Sequence, residues 1–184
     1  MLVEDTAIEG VKIVTPKKFG DERGFFSETY NRSKWEAAGL HYEFVQDNHS
    51  LSAAVGVLRG LHFQKPPFAQ DKLVRVLRGR VLDVAVDLRR SSPTFGKHVA
   101  VELSAENWKQ LLAPIGVAHG FCTLEPNTEV FYKVTNFYSP AHDCGLAFDD
   151  PELGIRWPIA LSKISANDRD RRWPKLRELP FLFE

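Results

Sequence analysis

Cysteine is scarce in this 184-residue chain, which has only Cys122 and Cys144. Two thiols are too few for a disulfide scaffold and do not sit at zinc-site spacing, so they read as reduced thiols of a cytosolic protein. Neither sign of charge prevails: 24 Lys plus Arg stand against 24 Asp plus Glu, a formal net charge of zero. A protein that lives by gripping nucleic acid or an anionic membrane carries a basic surplus, so neither partner is expected. A small anionic ligand needs only a few well-placed cations. No apolar run approaches the ~18 residues of a membrane span. The start, Met1-Leu2-Val3-Glu4-Asp5, has neither a basic n-region nor an apolar h-region. Repeats, low-complexity stretches and linkers are absent too. Hydrophobic residues at 43% and aromatics at 11% argue against disorder, and this length predicts one domain over 1–184.

What the chain does contain is strand after strand from Val57 to Ser139. Val74 and Val76, then Leu82, Val84, Val86 and Leu88, alternate with Arg75, Asp83 and Asp87, with Gly79 between the runs. Period-two alternation around a glycine predicts a hairpin. Further strands are expected over 98–103, 108–113, 120–124 and, the longest, 129–138. In the last, Val130, Tyr132, Val134, Asn136 and Tyr138 would share a face. A short helix is expected over 33–38, with Ser33 and Glu36 as a capping box and Gly39 as its stop. A second could run from Ser165 to Arg172. Strands at this spacing, without intervening helical patterns, predict an all-β antiparallel sandwich or barrel.

Two stretches could carry chemistry. In Arg59-Gly60-Leu61-His62-Phe63-Gln64, His62 and Gln64 would project to one strand face. The second, Pro114-Ile115-Gly116-Val117-Ala118-His119, resembles the downstream motif of the cupin superfamily, which implies a small jelly-roll barrel. Metal-binding cupins carry a His-x-His pair upstream. Here Gln64 replaces one imidazole, and a neutral amide is a poor ligand for zinc, iron or copper. No metal and no other cofactor are therefore expected.

The surrounding motifs narrow the resemblance. Arg23-Gly24-Phe25-Phe26-Ser27-Glu28, Gln46-Asp47-Asn48, Arg59 to Gln64, Lys72, Pro114 to Phe121, Tyr132-Lys133 and Leu153-Gly154-Ile155-Arg156-Trp157-Pro158 occur in the order and spacing of one family. Over about 23–168 the chain resembles the dTDP-4-dehydrorhamnose 3,5-epimerases. That implies a dTDP-linked 4-keto-6-deoxyhexose as substrate, two inverted centres and a homodimer. Epimerisation beside a ketone needs a base, a cation or donor at the enolate oxygen, and an acid across the ring. The resemblance implies His62 as base, Lys72 at the enolate oxygen and Tyr132 as acid. It also implies that Asp168 orients the base, although Ser165-Ala166-Asn167-Asp168 reads equally as a helix cap with Asp168 in the first turn.

Substrate contacts are implied for Arg23, Phe26, Glu28, Gln46, Asp47, Asn48, Arg59, His119, Tyr138 and Asp143. Arginine forks suit phosphate oxygens, Tyr138 could stack on thymine, and His119 could donate to a sugar or phosphate oxygen. Two positions depart from the family: Asn167 stands where a lysine is usual, and Asp143 where a glutamate is. A mono-epimerase or ketoisomerase would use nearly the same residues. A metal-dependent cupin oxygenase and a non-catalytic sugar-binding cupin are the readings from other classes.

Overall fold

A computed structural model describes residues 1–180 and 183–184. Its thirteen strands are β1 (Leu2–Asp5), β2 (Lys12–Thr15), β3 (Lys18–Asp21), β4 (Gly24–Ser27), β5 (Gln46–Ser52), β6 (Leu58–Gln64), β7 (Lys72–Arg78), β8 (Arg80–Asp87), β9 (His98–Ser104), β10 (Gln110–Ala113), β11 (Val117–Thr123), β12 (Thr128–Val134) and β13 (Asp143–Gly145). A six-stranded sheet runs β1-β2-β10-β7-β12-β5 and a five-stranded one β13-β6-β11-β8-β9, while β3 and β4 form a separate hairpin. All named strand pairs are antiparallel. This is the expected all-β cupin-type jelly roll.

The alternation around Gly79 is real, but β7 and β8 do not pair. Strand β7 bonds to β10 and β12, and β8 to β9 and β11, so Gly79 carries the chain from one sheet to the other. Its φ of +76° suits only glycine without strain, and a Cβ there would run into Thr128. Apolar faces can be buried by stacking two sheets as well as by lateral pairing, and period two alone does not distinguish them. Val74, Val76, Leu111 and Val130 from one sheet meet Val81, Ala85, Leu103 and Phe121 from the other in the central core.

The five-stranded sheet is buried on its outer face too. Leu82, Val84, Val86, Ala118 and Cys122 pack against Leu146, Phe148, Leu153, Ile164 and Phe183 of the proline-rich C-terminal segment. Asp83 and Asp87, which alternation would put in water, therefore point between the sheets and are fully buried. Burial works against the Asp87 carboxylate, but Arg89, Ser92 and Thr94 outweigh it and hold its pKa down to about 2.

The six-stranded sheet's outer face is covered at one end by the only α-helix among the described residues, α1 (Arg32–Ala37). Trp35 and Leu40 pack there on Val14, Leu73 and Leu112. Asn31, not Ser33, caps it: its side chain accepts from the Lys34 N–H at 3.1 Å. Gly39, at φ +77°, ends the helix as expected. Other expected elements are shorter. Trp108 has φ +63°, so β10 starts at Gln110, and β12 ends at Val134, well before Tyr138. The expected helix from Ser165 is absent. Ser165 instead bridges Val57, its carbonyl accepting from Leu58 N–H at 2.8 Å, and the stretch to Arg172 holds a 3₁₀ turn at Asp170–Arg172. Among the described residues no helix is long and apolar enough to cross a membrane.

Candidate active site

Between the two sheets lies a pocket that opens to solvent, about 1040 Å³ with its open mouth included. His62 on β6 and His119 on β11 are register partners inside it. Strand parity would put Arg59 and His62, three residues apart, on opposite faces. A bulge between His119 and Phe121 shifts the register so that both line the cavity. The close approach depends on glycine. At Gly60, φ +130°, a Cβ would lie 2.6 Å from the Gly120 Cα and 2.9 Å from the His119 carbonyl oxygen.

The His62 imidazole is anchored from behind. Its Nε2 lies 2.7 Å from Asp170 Oδ1, while the Gly60 N–H donates to Oδ2 at 3.2 Å and the Trp173 indole N–H to Oδ1 at 3.3 Å. Burial pushes the Asp170 carboxyl up. The His62 contact and the two N–H donors overcome it and leave the group below the ordinary carboxylate range. A carboxylate on Nε2 fixes that nitrogen as N–H and leaves Nδ1 as the available base. The expected partner, Asp168, is exposed, and its backbone carbonyl accepts from Arg172 Nε at 2.9 Å. The carboxylate on His62 therefore lies two residues beyond the expected one, and the cause is a long-range contact. Because Ser165 is drawn into the bridge with Val57, the turn begins at Asn167, whose Oδ1 accepts from the Asp170 N–H at 2.7 Å. Arg169, beside Asp170 in sequence, lines the cavity, and so does Asn167.

Lys72 on β7 reaches the same cavity and donates from Nζ to the His62 carbonyl at 3.2 Å. Burial brings its pKa from 10.5 to about 8, against the pull of Asp143 and Asp83. Tyr132 enters from β12, next to β7 in the sheet opposite His62, its phenol pKa raised chiefly by burial. His119 forms a second His–Asp pair, with Nε2 at 2.8 and 2.9 Å from the two oxygens of buried Asp83. Burial raises the Asp83 pKa, opposed by His119 and Lys72. Sequence reasoning passed over Asp83. The apolar opposite face of β8 pointed it to solvent, and no local pattern marked it as buried.

The remaining expected contacts divide. Gln46 and Asn48 line the cavity from β5 and bond to each other, Nε2 to Oδ1, at 2.9 Å. Asp47 between them faces away and pairs with Lys133 at 2.6 Å. Arg59 is in the wall, fixed by Ser52 Oγ and the Leu51 carbonyl, both at 3.2 Å. At the rim, Asp143 Oδ2 accepts from Tyr138 Oη at 3.1 Å and from Arg169 Nη1 at 2.6 Å. Arg23, Phe26 and Glu28 do not line this cavity. Arg23 pairs with Asp21 and Phe26 is 70% exposed on the β3–β4 hairpin, while Glu28 pairs with Lys34 at 2.7 Å. Among the described residues no cluster of three or more His, Cys, Asp or Glu could hold a metal ion.

The family model described as dTDP-4-dehydrorhamnose 3,5-epimerase matches residues 5–178. The chain belongs to that family. It is 51% identical over 185 residues to the dTDP-4-dehydrorhamnose 3,5-epimerase of Sinorhizobium fredii, covering 100% of this chain and 94% of that one. The crystal structure of the Bacillus anthracis enzyme, with TDP and PPi bound, superposes at a TM-score of 0.92 and 49% identity over 95% of this chain and 98% of that one. A Legionella pneumophila 3,5-epimerase in complex with dTDP-4-keto-L-rhamnose gives a TM-score of 0.94 and 42% identity over 100% of this chain and 97% of that one. The protein is thus an isomerase of the family that the order of its motifs resembles.

Proposed function

We propose that the protein converts dTDP-4-dehydro-6-deoxy-D-glucose to dTDP-4-dehydro-L-rhamnose by inverting C3 and C5. The observation that carries this reading is His62, backed by buried Asp170, opening onto the same cavity as a phenol from the opposite sheet. His62 Nδ1 takes the proton beside the ketone, and Asp170 stabilises the imidazolium that forms. Lys72 offsets the negative charge developing on the ketone oxygen. Tyr132 then returns a proton from the other face of the ring. Arg59 and Arg169 are the cations for the diphosphate, and Tyr138 is the flat surface for thymine. His119, its Nε2 committed to Asp83, offers Nδ1 to a sugar oxygen.

The protein also works as a homodimer in this reading. The β3–β4 hairpin exposes Phe19, Phe25 and Phe26 and carries Arg23, with Glu28 just beyond it, none of them lining this chain's own cavity. If those residues touch substrate, it is substrate in a partner's cavity.

The test is incubation with dTDP-4-keto-6-deoxyglucose in deuterated water, followed by NMR at both carbons. Deuterium at C3 and C5 with inverted product is expected. Exchange at one carbon alone would overturn the double inversion, and no exchange would overturn the reaction.

A further inference from the structure

The segment 136–139, which carries Tyr138 to the cavity rim, has neither a sheet partner nor an apolar anchor. Strand β12 pairs with β5 only as far as Val134 opposite Gln46. Beyond it, Phe137 is 62% and Tyr138 51% exposed, so packing does little to fix them. The Tyr138 hydroxyl is tied to Asp143, and side-chain amides from three places hold the backbone. Gln70 Nε2 donates to the Asn136 carbonyl at 2.7 Å, and Gln46 Oε1 accepts from the Tyr138 N–H at 3.0 Å. Gln64 grips the backbone on both sides of the tyrosine. Its Nε2 donates to the Phe137 carbonyl at 3.1 Å and its Oε1 accepts from the Ser139 N–H at 2.7 Å. The second hydrogen on Nε2 goes to the Phe68 carbonyl at 2.6 Å.

Gln64 is buried, and this arrangement uses both of its amide hydrogens and its oxygen. A carboxylate has no hydrogen to give and a neutral imidazole has one, so the position asks for an amide. The residue that stands where metal-binding cupins carry their second upstream histidine has a different task here.

We infer that Gln64, helped by Gln46 and Gln70, is a positioning residue that fixes Tyr138 over the cavity mouth before the nucleotide arrives. The entropy of ordering the exposed segment is then lost on folding and not on binding, which raises affinity without touching the reacting carbons. This rests on the nucleotide-sugar reading above, in which Tyr138 meets the base.

Calorimetry of dTDP binding to the full chain tests it, together with solvent exchange at saturating substrate. Absence of dTDP binding to the wild type would overturn the nucleotide reading itself. Given wild-type binding, Gln64→Glu should weaken dTDP by ~10-fold while exchange at saturation stays within ~3-fold, a change in KM and not in kcat. In a Tyr138→Ala background the same substitution should cost less than ~2-fold more, because the group it positions is gone. Unchanged affinity in the single variant, or a full additional loss in the double, would overturn the inference. If Gln64→Glu does not fold, Gln70→Met cuts only the Asn136 tie and should weaken dTDP by ~3-fold with the same non-additivity. Unchanged affinity there would overturn it as well.

Discussion

Lys72 keeps a charge where the protein makes charge expensive. The fall of its pKa from 10.5 to about 8 corresponds to at most about 3 kcal/mol of penalty on the ammonium, part of it screened by water in the cavity. The folded state binds fewer protons than the unfolded chain between those values. Stability therefore climbs as pH rises from about 8 to 10.5, and that gain is lost as pH falls back through 8. Turnover should run the other way, declining as pH rises through about 8, because the free amine no longer offsets the enolate charge. Lys72→Met should raise the unfolding free energy at pH 7 by ~1–3 kcal/mol and lower turnover by ~10²-fold. Chemical denaturation and a pH–rate profile check both, and a wild-type profile flat from pH 7 to pH 10 would contradict the assignment. The dyad gives a second contrast at this scale. Asp170→Asn should slow solvent exchange by on the order of 10²-fold or more by losing control of the His62 tautomer, whereas Asp168→Asn should stay within ~2-fold. Comparable losses in both would mean that the His62–Asp170 contact does not serve the reaction.

At the scale of elements, the β3–β4 hairpin is the part of the fold that its own chain leaves unfinished. Its three phenylalanines are more than half exposed, and Phe25 meets its own chain edge-on at Trp108, 4.9 Å between ring centroids. A Phe25→Ser, Phe26→Ser variant should shift sedimentation from dimer to monomer and raise the KM for the nucleotide sugar, with the barrel still folded. A wild-type monomer at assay concentration would contradict the homodimer. The elements also show where the sequence was legible. Strand identity could be read from period two, and the cavity residues Arg59, His62, Lys72, His119 and Tyr132 from motif order. Sheet membership could not, because Val74 and Val84 look alike whether their strands pair or stack. Nor could the orientation of β8 be read. Its apolar face meets the proline-rich C-terminal segment, and Asp83 is turned inward as a result. The error at Asp168 has the same origin. A local capping pattern competed with a long-range bridge from Ser165 to Val57, and the bridge moved the turn by two residues.

Over the whole molecule, the two sheets divide the chemistry between them. The five-stranded sheet brings His62, backed by Asp170, and the six-stranded sheet brings Lys72 and Tyr132. A ring held between the sheets would have a base on one side and an acid on the other, which is what inversion requires and simple enolisation does not. The two outer cores, under the C-terminal segment and under α1, stiffen each sheet from behind so that this separation holds. The most direct measurement of that division is Tyr132→Phe in deuterated water, with exchange and product followed on the same sample. Removing the hydroxyl leaves the ring and its packing, so His62 can still take a proton and return one to the same face. Deuterium incorporation should persist at ~10% of wild type or more while inverted product falls by at least ~10²-fold. Loss of both signals together, or inversion at the wild-type rate, would contradict an acid and a base supplied from opposite sheets.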